Sequence, residues 1–271
     1  MARTDMQAVE PGHYAKKQLG CRSAIIRWSH SARFRLAMKL VGSDRAGKLL
    51  DYGCGDGTFL GMVADRFATC TGADVAPDQL DDCRRRFTAF PSVDFRLVSE
   101  LTRTEHSHAY AVVTCMETLE HCLDQTVERV LADLERLCAP DGTIVISVPI
   151  ETGPAFLIKH VVRSLAARRG FGDYAQYERY SLGDARRMAF ATERTAMARP
   201  VYGGPDSPYH SHYGFNWRRL RTAIAQQLVV ERIRFSPAGF LGGWFSSQVW
   251  FVCRPPQTPS SQTNWRHCGQ A

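Results

Sequence analysis

A glycine-rich stretch near the start of the chain, LLDYGCGDGTFL at residues 49–60, constrains the fold more than any other feature. Its three glycines stand at alternate positions directly after an apolar run that ends in an acid. This order predicts a buried strand, a tight turn and then a helix. A dinucleotide fingerprint, G-x-G-x-x-G, would need glycine where Thr58 stands, and the stretch lacks the phosphate-loop pattern G-x-x-x-x-G-K-[ST]. Asp51, before the first glycine, favours a ligand with a positive group over a pyrophosphate.

Strand and helix patterns alternate from this stretch to residue 149. The short apolar strand patterns are GKLLDYG, ATCTGADV, VDFRLVS, YAVVTC and TIVISV. The helix patterns, with apolar residues on one face, are TFLGMVADRF, PDQLDDCRRRF and DQTVERVLADLERLC. The sequence APDG predicts a turn before the fifth strand. This alternation predicts a parallel sheet that helices cover on both faces.

The rest of the chain departs from this rhythm. An amphipathic helix is predicted over residues 23–41, and VVERIRF and SSQVWFVCR near the end predict a strand hairpin. Residues 150–215 contain two helix patterns and a Gly/Pro-rich joint, which predicts an insertion that cannot bury a core of its own. We therefore expect a flexible N-terminal segment (1–22), one domain (23–254) with an insertion at about 150–215, and a disordered tail (255–271).

Charge and cysteine content limit the binding partners and the cellular compartment that the sequence is compatible with. The net charge is +7, and residues 154–234 hold fourteen Lys/Arg against six Asp/Glu, so the surplus lies in the insertion and the helix and strand after it. Such a surplus suits an acidic substrate, a membrane surface or nucleic acid, and solvated helix faces explain it equally well. The nine cysteines form no C-x-x-C pair, which favours buried reduced thiols. No apolar signal or membrane-spanning run is present, so we expect a cytoplasmic protein.

Four motifs in order give the chain a family resemblance. They are LLDYGCGDGTFL, GADVAP, AYAVVTCMETLEHCLD and LCAPDGTIVISVP, within residues 48–149. Together they resemble the class I S-adenosylmethionine-dependent methyltransferases, and CMETLEH is similar to the quinone-biosynthesis O-methyltransferases. The resemblance implies an α/β, Rossmann-like fold with a mostly parallel seven-stranded sheet, an antiparallel last strand and a helical lid insertion after strand 5. It also implies S-adenosyl-L-methionine as the cofactor.

The resemblance further implies residues that bind this cofactor. Those that would line its methionine end are Asp51, Gly53, Cys54 and Gly55. Asp74 would bind the ribose, and Val75 would pack on the adenine. Met116 would border the cofactor, and Ser99 is the first candidate for the adenine contact. The chain departs from the family pattern at Tyr110-Ala111, where relatives often carry an acid, and at Val98-Ser99-Glu100, where they often show Gly-Asp.

Candidates for the transfer chemistry come directly after the fourth strand. Glu117, Glu120 and His121 fall where ligands of open α/β sheets bind, and a hydroxyl or acidic-carbon acceptor would use a general base there. We favour His121 as base or orienter, with a loop hydrogen bond or a helix cap as the structural alternative.

A second candidate region, residues 207–217, holds histidines and aromatic residues in the insertion. It predicts a substrate-facing wall made by Tyr209, His210, His212 and Tyr213. No metal site is predicted, because His210 and His212 lack identifiable further ligands.

These features predict a methyltransferase acting on a small organic acceptor, an anionic or lipid-like metabolite of natural-product, quinone or isoprenoid type. One alternative is an RNA or protein methyltransferase, although CMET stands after the fourth strand where base-modifying enzymes carry an Asn-Pro-Pro-Tyr-like stretch, so no nucleic-acid partner is expected. Another is a non-catalytic cofactor-binding protein. The basic pattern at 154–171 leaves peripheral membrane contact open beside a packed lid helix, and the oligomeric state is open.

Overall fold

A computed structural model describes residues 9–10, 12, 16, 24–157, 159, 180–205 and 207–257. Most of the predicted N-terminal segment and C-terminal tail lies outside the described residues, as does most of the basic pattern at 154–171. No helix of the described part is long and apolar enough to cross a membrane.

A seven-stranded sheet forms the centre of the fold. Its strands, in chain order, are β1 (Asp44–Tyr52), β2 (Phe67–Asp74), β3 (Val93–Leu97), β4 (Tyr110–Met116), β5 (Cys138–Pro149), β8 (Val229–Ser236) and β9 (Gln248–Arg254). Their spatial order is β3-β2-β1-β4-β5-β9-β8; β9 runs antiparallel to both of its neighbours, and the other six strands share one direction. The predicted fold class, with its antiparallel last strand, is confirmed. The short strands β6 (Val201–Tyr202) and β7 (Tyr209–His210) form a separate hairpin in the insertion.

Helices cover both faces of the sheet, as the alternating patterns predict. They are α1 (Ala24–Val41), α2 (Thr58–Val63), α3 (Pro77–Arg86), α4 (Asp124–Leu137) and α6 (Trp217–Gln227), while α5 (Leu182–Ala189) lies in the insertion. Residues of α1, α2 and α3 share one apolar core, and residues of α4 and α6 share the other. In α4 the buried residues recur at helical spacing: Val127, Val130, Leu131, Leu134 and Leu137. Because helices cover both faces of the sheet, a ligand can reach it at the edge formed by the carboxyl ends of the parallel strands.

Two local expectations differ from the structure. The predicted turn APDG is an irregularity within β5, where the register with β4 shifts between Tyr110 and Val112. The helix pattern LGDARRMAFATERTAMA stays helical only to Ala189. Beyond it the backbone amide of Thr192 donates to Thr195 Oγ1 at 3.0 Å, and Asn216 donates to the carbonyls of both threonines. These side-chain bonds offer the backbone an alternative to the helix.

Candidate functional site

The parallel register brings the predicted site residues of β1, β2 and β4 to one edge of the sheet. Asp51 lies opposite Gly72 of β2 on one side and Thr114 of β4 on the other. The amides of Gly53 and Cys54 both donate to the carbonyl of Ala73, at 2.7 and 3.0 Å. The loop after β1 is therefore fastened to the end of β2.

The glycine loop needs its glycines for two different reasons. Gly53, Gly55 and Gly57 have φ values of 78°, 53° and 69°, a region that other residues rarely adopt. A Cβ atom on Gly53 would overlap the hydroxyl of Thr118, so the loops after β1 and β4 approach each other closely there. A Cβ on Gly55 would meet nothing within 4 Å. The loop thus presents bare backbone to open space at Gly55.

Asp51 is a buried carboxyl group beneath this loop, 2% exposed. Its Oδ1 accepts a hydrogen bond from Thr114 Oγ1 at 2.6 Å. Burial raises the pKa of Asp51 to about 7; the Thr114 bond opposes this shift and the charge of Asp74 adds to it. A cationic group brought close to Asp51 would favour its charged form.

Asp74 ends β2 and fixes the turn after it. Its Oδ1 accepts from the amides of Val75 and Ala76 at 2.7 and 3.1 Å, and its Oδ2 accepts from the amide of Gly55 at 2.9 Å. The carboxylate is therefore held against the glycine loop. Val75, with 74% exposure, presents an apolar side chain to solvent beside it. An acid and an exposed apolar residue at this edge match the surface that a nucleoside needs.

The other predicted cofactor residues occupy the same end of the sheet. Ser99 is exposed within the 3-10 turn Val98–Thr102, directly after β3. Met116 is half-buried at the end of β4. The thiol of Cys54 is buried, with Sγ 3.8 Å from the carbonyl of Gly55, and burial raises its pKa well above the usual range. Cys54 therefore contributes its backbone and a small apolar side chain to the loop.

Glu117 adopts a left-handed backbone, with φ of 53°, directly after β4. Its amide donates to the carbonyl of Ser147 at 2.9 Å, and its Oε1 accepts from Ser147 Oγ at 3.3 Å. Its Oε2 lies 3.4 Å from Nη1 of Arg33, a buried residue of α1. A non-glycine residue in this conformation costs about 1–3 kcal/mol, and such strain is concentrated at functional sites.

Glu120 is fully buried in the 3-10 turn Leu119–His121. Among the described residues, neither of its carboxylate oxygens has a hydrogen-bond partner. Burial raises the pKa of Glu120 well above its usual range, and the charge of Glu117 adds to this shift. A buried carboxyl group without a partner is costly unless it is protonated or binds a ligand.

Two histidines face this carboxylate. The Nε2 atoms of His121 and His212 each lie 3.9 Å from Glu120 Oε1, and their ring centroids are 5.0 Å apart. On its other side, His212 Nδ1 lies 3.9 Å from Oε1 of Glu151, which is buried. Glu120, His121 and His212 place one ligand atom each within 4.8 Å of one another. We name these three residues the carboxylate–histidine cluster.

The insertion reaches this cluster through backbone contacts. His121 Nδ1 lies 2.9 Å from the carbonyl oxygen of His210, although the two residues are 89 positions apart. Arg199 Nη2 donates to the carbonyls of Glu120 and Ser211, the second at 2.7 Å. The guanidinium of Arg199 therefore fastens the segment that contains His212 to the turn after β4.

The four predicted substrate residues lie in different surroundings, and their role stays a prediction. His212 joins the cluster, whereas His210 is buried and its Nδ1 lies 2.8 Å from the carbonyl of Pro200. Tyr213 stacks on Tyr180 and donates to Asp184 of α5 at 3.1 Å. Tyr209 is 49% exposed. The spacing of two suggested a shared side, but β7 ends at His210. His212 lies beyond the strand, where the alternation of side chains no longer applies.

Sequence patterns missed several residues that shape the site: Arg33, Thr114, Thr118, Glu151 and Arg199. Thr114 lies in an apolar strand pattern. Its single hydroxyl group, one strand away from Asp51, was the sequence feature that could have indicated its role. Arg33 and Arg199 appear in the sequence as two among many basic residues. Only their burial against specific acceptors distinguishes them.

Comparison with known proteins identifies the family. A family model described as a methyltransferase domain matches residues 27–194, more than half of the chain. Ubiquinone biosynthesis O-methyltransferase from Thiobacillus denitrificans is 34% identical over 137 residues, which cover 48% of this chain and 57% of that protein. The enzyme of the same name from Pseudomonas aeruginosa is 30% identical over 182 residues, which cover 63% of this chain and 75% of that protein.

Solved structures agree with the observed fold. A protein of Pyrococcus horikoshii OT3 superposes with a TM-score of 0.55 at 14% identity, covering 91% of this chain and 100% of that one. Geranyl diphosphate C-methyltransferase from Streptomyces coelicolor, solved with Mg²⁺, geranyl diphosphate and S-adenosyl-L-homocysteine, gives 0.53 at 15% identity, covering 92% and 85%. The chain belongs to the methyltransferase domain family, as a class I S-adenosylmethionine-dependent methyltransferase of the quinone O-methyltransferase type.

Proposed function

We propose that this methyltransferase binds its cofactor along the glycine loop and Asp74, and methylates a hydroxyl group of a small organic acceptor beside the carboxylate–histidine cluster. The observation that supports the proposal is that the glycine loop and the turn after β4 lie at the same edge of the sheet. The glycine loop and the turn after β4 meet where Gly53 leaves no room for a side chain against Thr118. A cofactor on the first loop and an acceptor on the second would therefore be neighbours.

The residues present suit S-adenosylmethionine. The bare backbone at Gly55 leaves room for a ligand, and Asp51 beneath the loop offers a buried carboxylate to its positive groups. Asp74, held by the Gly55 amide, is placed for the ribose hydroxyls, and exposed Val75 for the adenine. When bound, the cofactor supplies a methyl group activated by a sulfonium. Ser99 and Met116 complete the proposed nucleoside surface.

The acceptor atom that the cluster supports best is oxygen. The two ubiquinone biosynthesis enzymes named above are O-methyltransferases, and a hydroxyl acceptor must lose its proton during transfer. Nδ1 of His121 faces a carbonyl, so the hydrogen-bond network assigns the proton to Nδ1 and leaves Nε2 with a lone pair. We therefore assign to Glu117, Glu120 and His121 the positioning of the acceptor hydroxyl and the removal of its proton. Much of the acceleration comes from holding this oxygen in line with the methyl group.

An anionic acceptor is favoured by the positive charge of the insertion together with the helix and strand after it. Residues 154–234 carry fourteen basic residues against six acidic ones. Reversing the charges of Arg163, Arg168 and Arg169, which lie outside the described residues, should raise KM for a phosphate- or carboxylate-bearing acceptor. Unchanged KM for such an acceptor would remove this part of the proposal and leave a neutral or lipid-like metabolite.

The experiment that tests the function is a two-step one. Calorimetry with S-adenosylmethionine measures cofactor binding, and incubation with isotope-labelled cofactor and a metabolite extract, followed by mass spectrometry, finds the acceptor. We expect a labelled small molecule whose labelled methyl sits on oxygen, and a large fall in kcat for His121→Asn with cofactor affinity retained. Tight cofactor binding without turnover on any metabolite would favour a non-catalytic binding protein. Label that appears in RNA or protein would favour a macromolecular acceptor.

A further inference from the structure

We propose that Arg86, the last residue of α3, is a positioning residue for cofactor binding. It joins the glycine loop to the N-terminal strap, the name used below for the described residues Val9, Glu10 and Gly12. The inference rests on the proposed cofactor site, because it concerns the shape of the same glycine loop. In the sequence Arg86 is one of three consecutive arginines, and no local pattern distinguishes it from the other two.

Burial distinguishes Arg86 from its neighbours. Its side chain is 8% exposed, whereas those of Arg84 and Arg85 are 47% and 71% exposed. Each of the three pairs with an acid of the same helix, so the ion pairs alone do not explain the difference. A guanidinium that has lost most of its hydration needs acceptors for its N–H groups in fixed positions.

The N–H groups of Arg86 are directed at three segments of the chain. Nε donates to Asp82 Oδ2 at 2.7 Å within α3. Nη2 donates at 2.6 Å to the backbone carbonyl of Asp56, in the glycine loop, and lies 3.5 Å from Cys83 Sγ. Nη1 donates at 3.3 Å to the carbonyl of Glu10, which is 76 positions away. A lysine ammonium cannot span these acceptors, because they match the planar fork of a guanidinium.

The glycine loop depends on such anchors, because glycine loses more backbone freedom on ordering than any other residue. The amide of Gly55 donates to Asp74 Oδ2 at 2.9 Å, and its carbonyl lies 3.5 Å from the thiol of Cys83. The next carbonyl, that of Asp56, accepts from Arg86. A loop that is already held in its binding shape loses less entropy when the ligand binds. Loss of the Arg86 anchor should therefore lower cofactor affinity rather than the rate of methyl transfer.

The N-terminal strap packs against the same loop and against α2. Gly12 is buried, and a Cβ atom there would overlap the carboxylate of Asp56. This carboxylate accepts from the amide and the hydroxyl of Thr58 at 3.1 and 2.6 Å, so moving it away would break bonds at the start of α2. Val9 packs on the apolar core and lies 3.5 Å from the place that a Cβ on Gly61 would occupy. The position of the strap and the shape of the loop are therefore coupled.

Such coupling acts in both directions. If the packed strap favours the loop shape that binds cofactor, bound cofactor must favour the packed strap to the same degree. Lys16 gives a readout next to the strap: it is exposed, its amide donates to the carbonyl of Gly12 at 3.0 Å, and its Nζ lies 3.3 Å from Glu10 Oε1. Saturating S-adenosyl-L-homocysteine should therefore slow cleavage of the full chain by trypsin after Lys16.

Calorimetry with S-adenosylmethionine on the full chain tests the role of Arg86. In Arg86→Lys, with native-like melting, Kd for the cofactor should rise about tenfold, as expected when one charge-assisted hydrogen bond is lost. KM for the cofactor should rise similarly, while kcat stays at the native value. A merely structural role would lower Tm and leave both cofactor constants unchanged. Arg85→Lys is the matched control on the same helix, because Arg85 is exposed and pairs with Asp82, and it should bind cofactor as the native protein does.

A second variant tests the strap without changing Arg86. Gly12→Ala should displace the strap from Asp56 and raise Kd for the cofactor about threefold or more. Gly204→Ala, where a Cβ would meet nothing within 4 Å, is its control and should bind normally. If Arg86→Lys does not fold, this pair decides the question.

The contrary results are distinct. Equal cofactor affinity in Arg86→Lys and Arg85→Lys, or in Gly12→Ala and Gly204→Ala, would overturn this inference and leave the proposed function standing. A rate of cleavage after Lys16 that bound S-adenosyl-L-homocysteine does not change would also overturn it. A native protein that binds no cofactor would overturn both the inference and the proposed function.

Discussion

The buried carboxyl group of Asp51 should make the stability of the protein depend on pH. Asp51 is fully buried, and its pKa is raised to about 7 in the folded chain. The substitution Asp51→Asn removes the charge and keeps the shape. Because the asparagine carbonyl oxygen still accepts the bond from Thr114, the difference between the two proteins isolates the cost of the buried charge.

The magnitude comes from the shift itself. An aspartate in an unfolded chain titrates near pH 3.9, so the folded value lies about three units higher, which corresponds to about 4 kcal/mol. Between about pH 4 and pH 7 the folded chain holds a proton that the unfolded chain has lost, so this contribution falls as pH rises. Below about pH 4 both states are protonated and the two proteins should be equally stable. Above about pH 7 Asp51→Asn should be more stable by up to about 4 kcal/mol.

Urea denaturation of both proteins at a series of pH values measures this difference. Asp141→Asn, at an exposed position of β5, is the matched control and should show no such pH dependence. Cofactor binding by calorimetry should change in the opposite sense: native affinity should weaken as pH falls through 7, and Asp51→Asn should bind weakly throughout. A stability difference that is constant with pH, or an Asp51→Asn protein that is less stable at pH 8, would refute the reasoning.

Three further substitutions test the two halves of the site. Gly53→Ala should destabilise by about 2–4 kcal/mol, because a left-handed backbone and overlap with Thr118 both count against it, whereas Gly42→Ala, at φ 66° in open space, should cost about 1–2 kcal/mol. Asp74→Asn should weaken cofactor binding at least tenfold. The side-chain NH₂ of asparagine would face the backbone N–H of Gly55, whose hydrogen bond the carboxylate accepts in the native protein. Arg199→Lys should cost about 2–3 kcal/mol and speed proteolysis within the insertion, because an ammonium cannot bridge the same carbonyls.

Each of these expectations has a clear contrary result. Equal unfolding free energies for Gly53→Ala and Gly42→Ala would mean that the loops after β1 and β4 do not touch. Unaltered cofactor affinity in Asp74→Asn, with Asp78→Asn as the control on α3, would remove Asp74 from the proposed site. Native rates of limited proteolysis in Arg199→Lys would show that other contacts hold the insertion.

The sequence alone determined the sheet, its order of strands and helices, and the glycine loop. Hydrophobic periodicity and turn residues are local properties, so TIVISV and DQTVERVLADLERLC specify a strand and a helix with little help from the rest of the chain. The positions of Asp51 and Asp74 could be deduced directly, because parallel strands all end at the same edge. The sequence did not predict where the helix in LGDARRMAFATERTAMA ends. Just beyond that end, the side chain of Asn216, which belongs to a later segment, donates to the carbonyls of Thr192 and Thr195.

Tertiary structure alone decided which titratable side chains of the turn after β4 and of the insertion lie together. His121 and His210 are 89 positions apart, and no periodic pattern couples residues at such a distance. Burial left the carboxylate of Glu120 without a hydrogen-bond partner among the described residues, and packing placed Arg199 against backbone carbonyls of the turn after β4 and of the insertion. Local patterns fix backbone conformation, whereas desolvation and contact between distant segments fix which titratable groups meet. The cluster beside β4 therefore became visible only once the insertion was folded against the sheet.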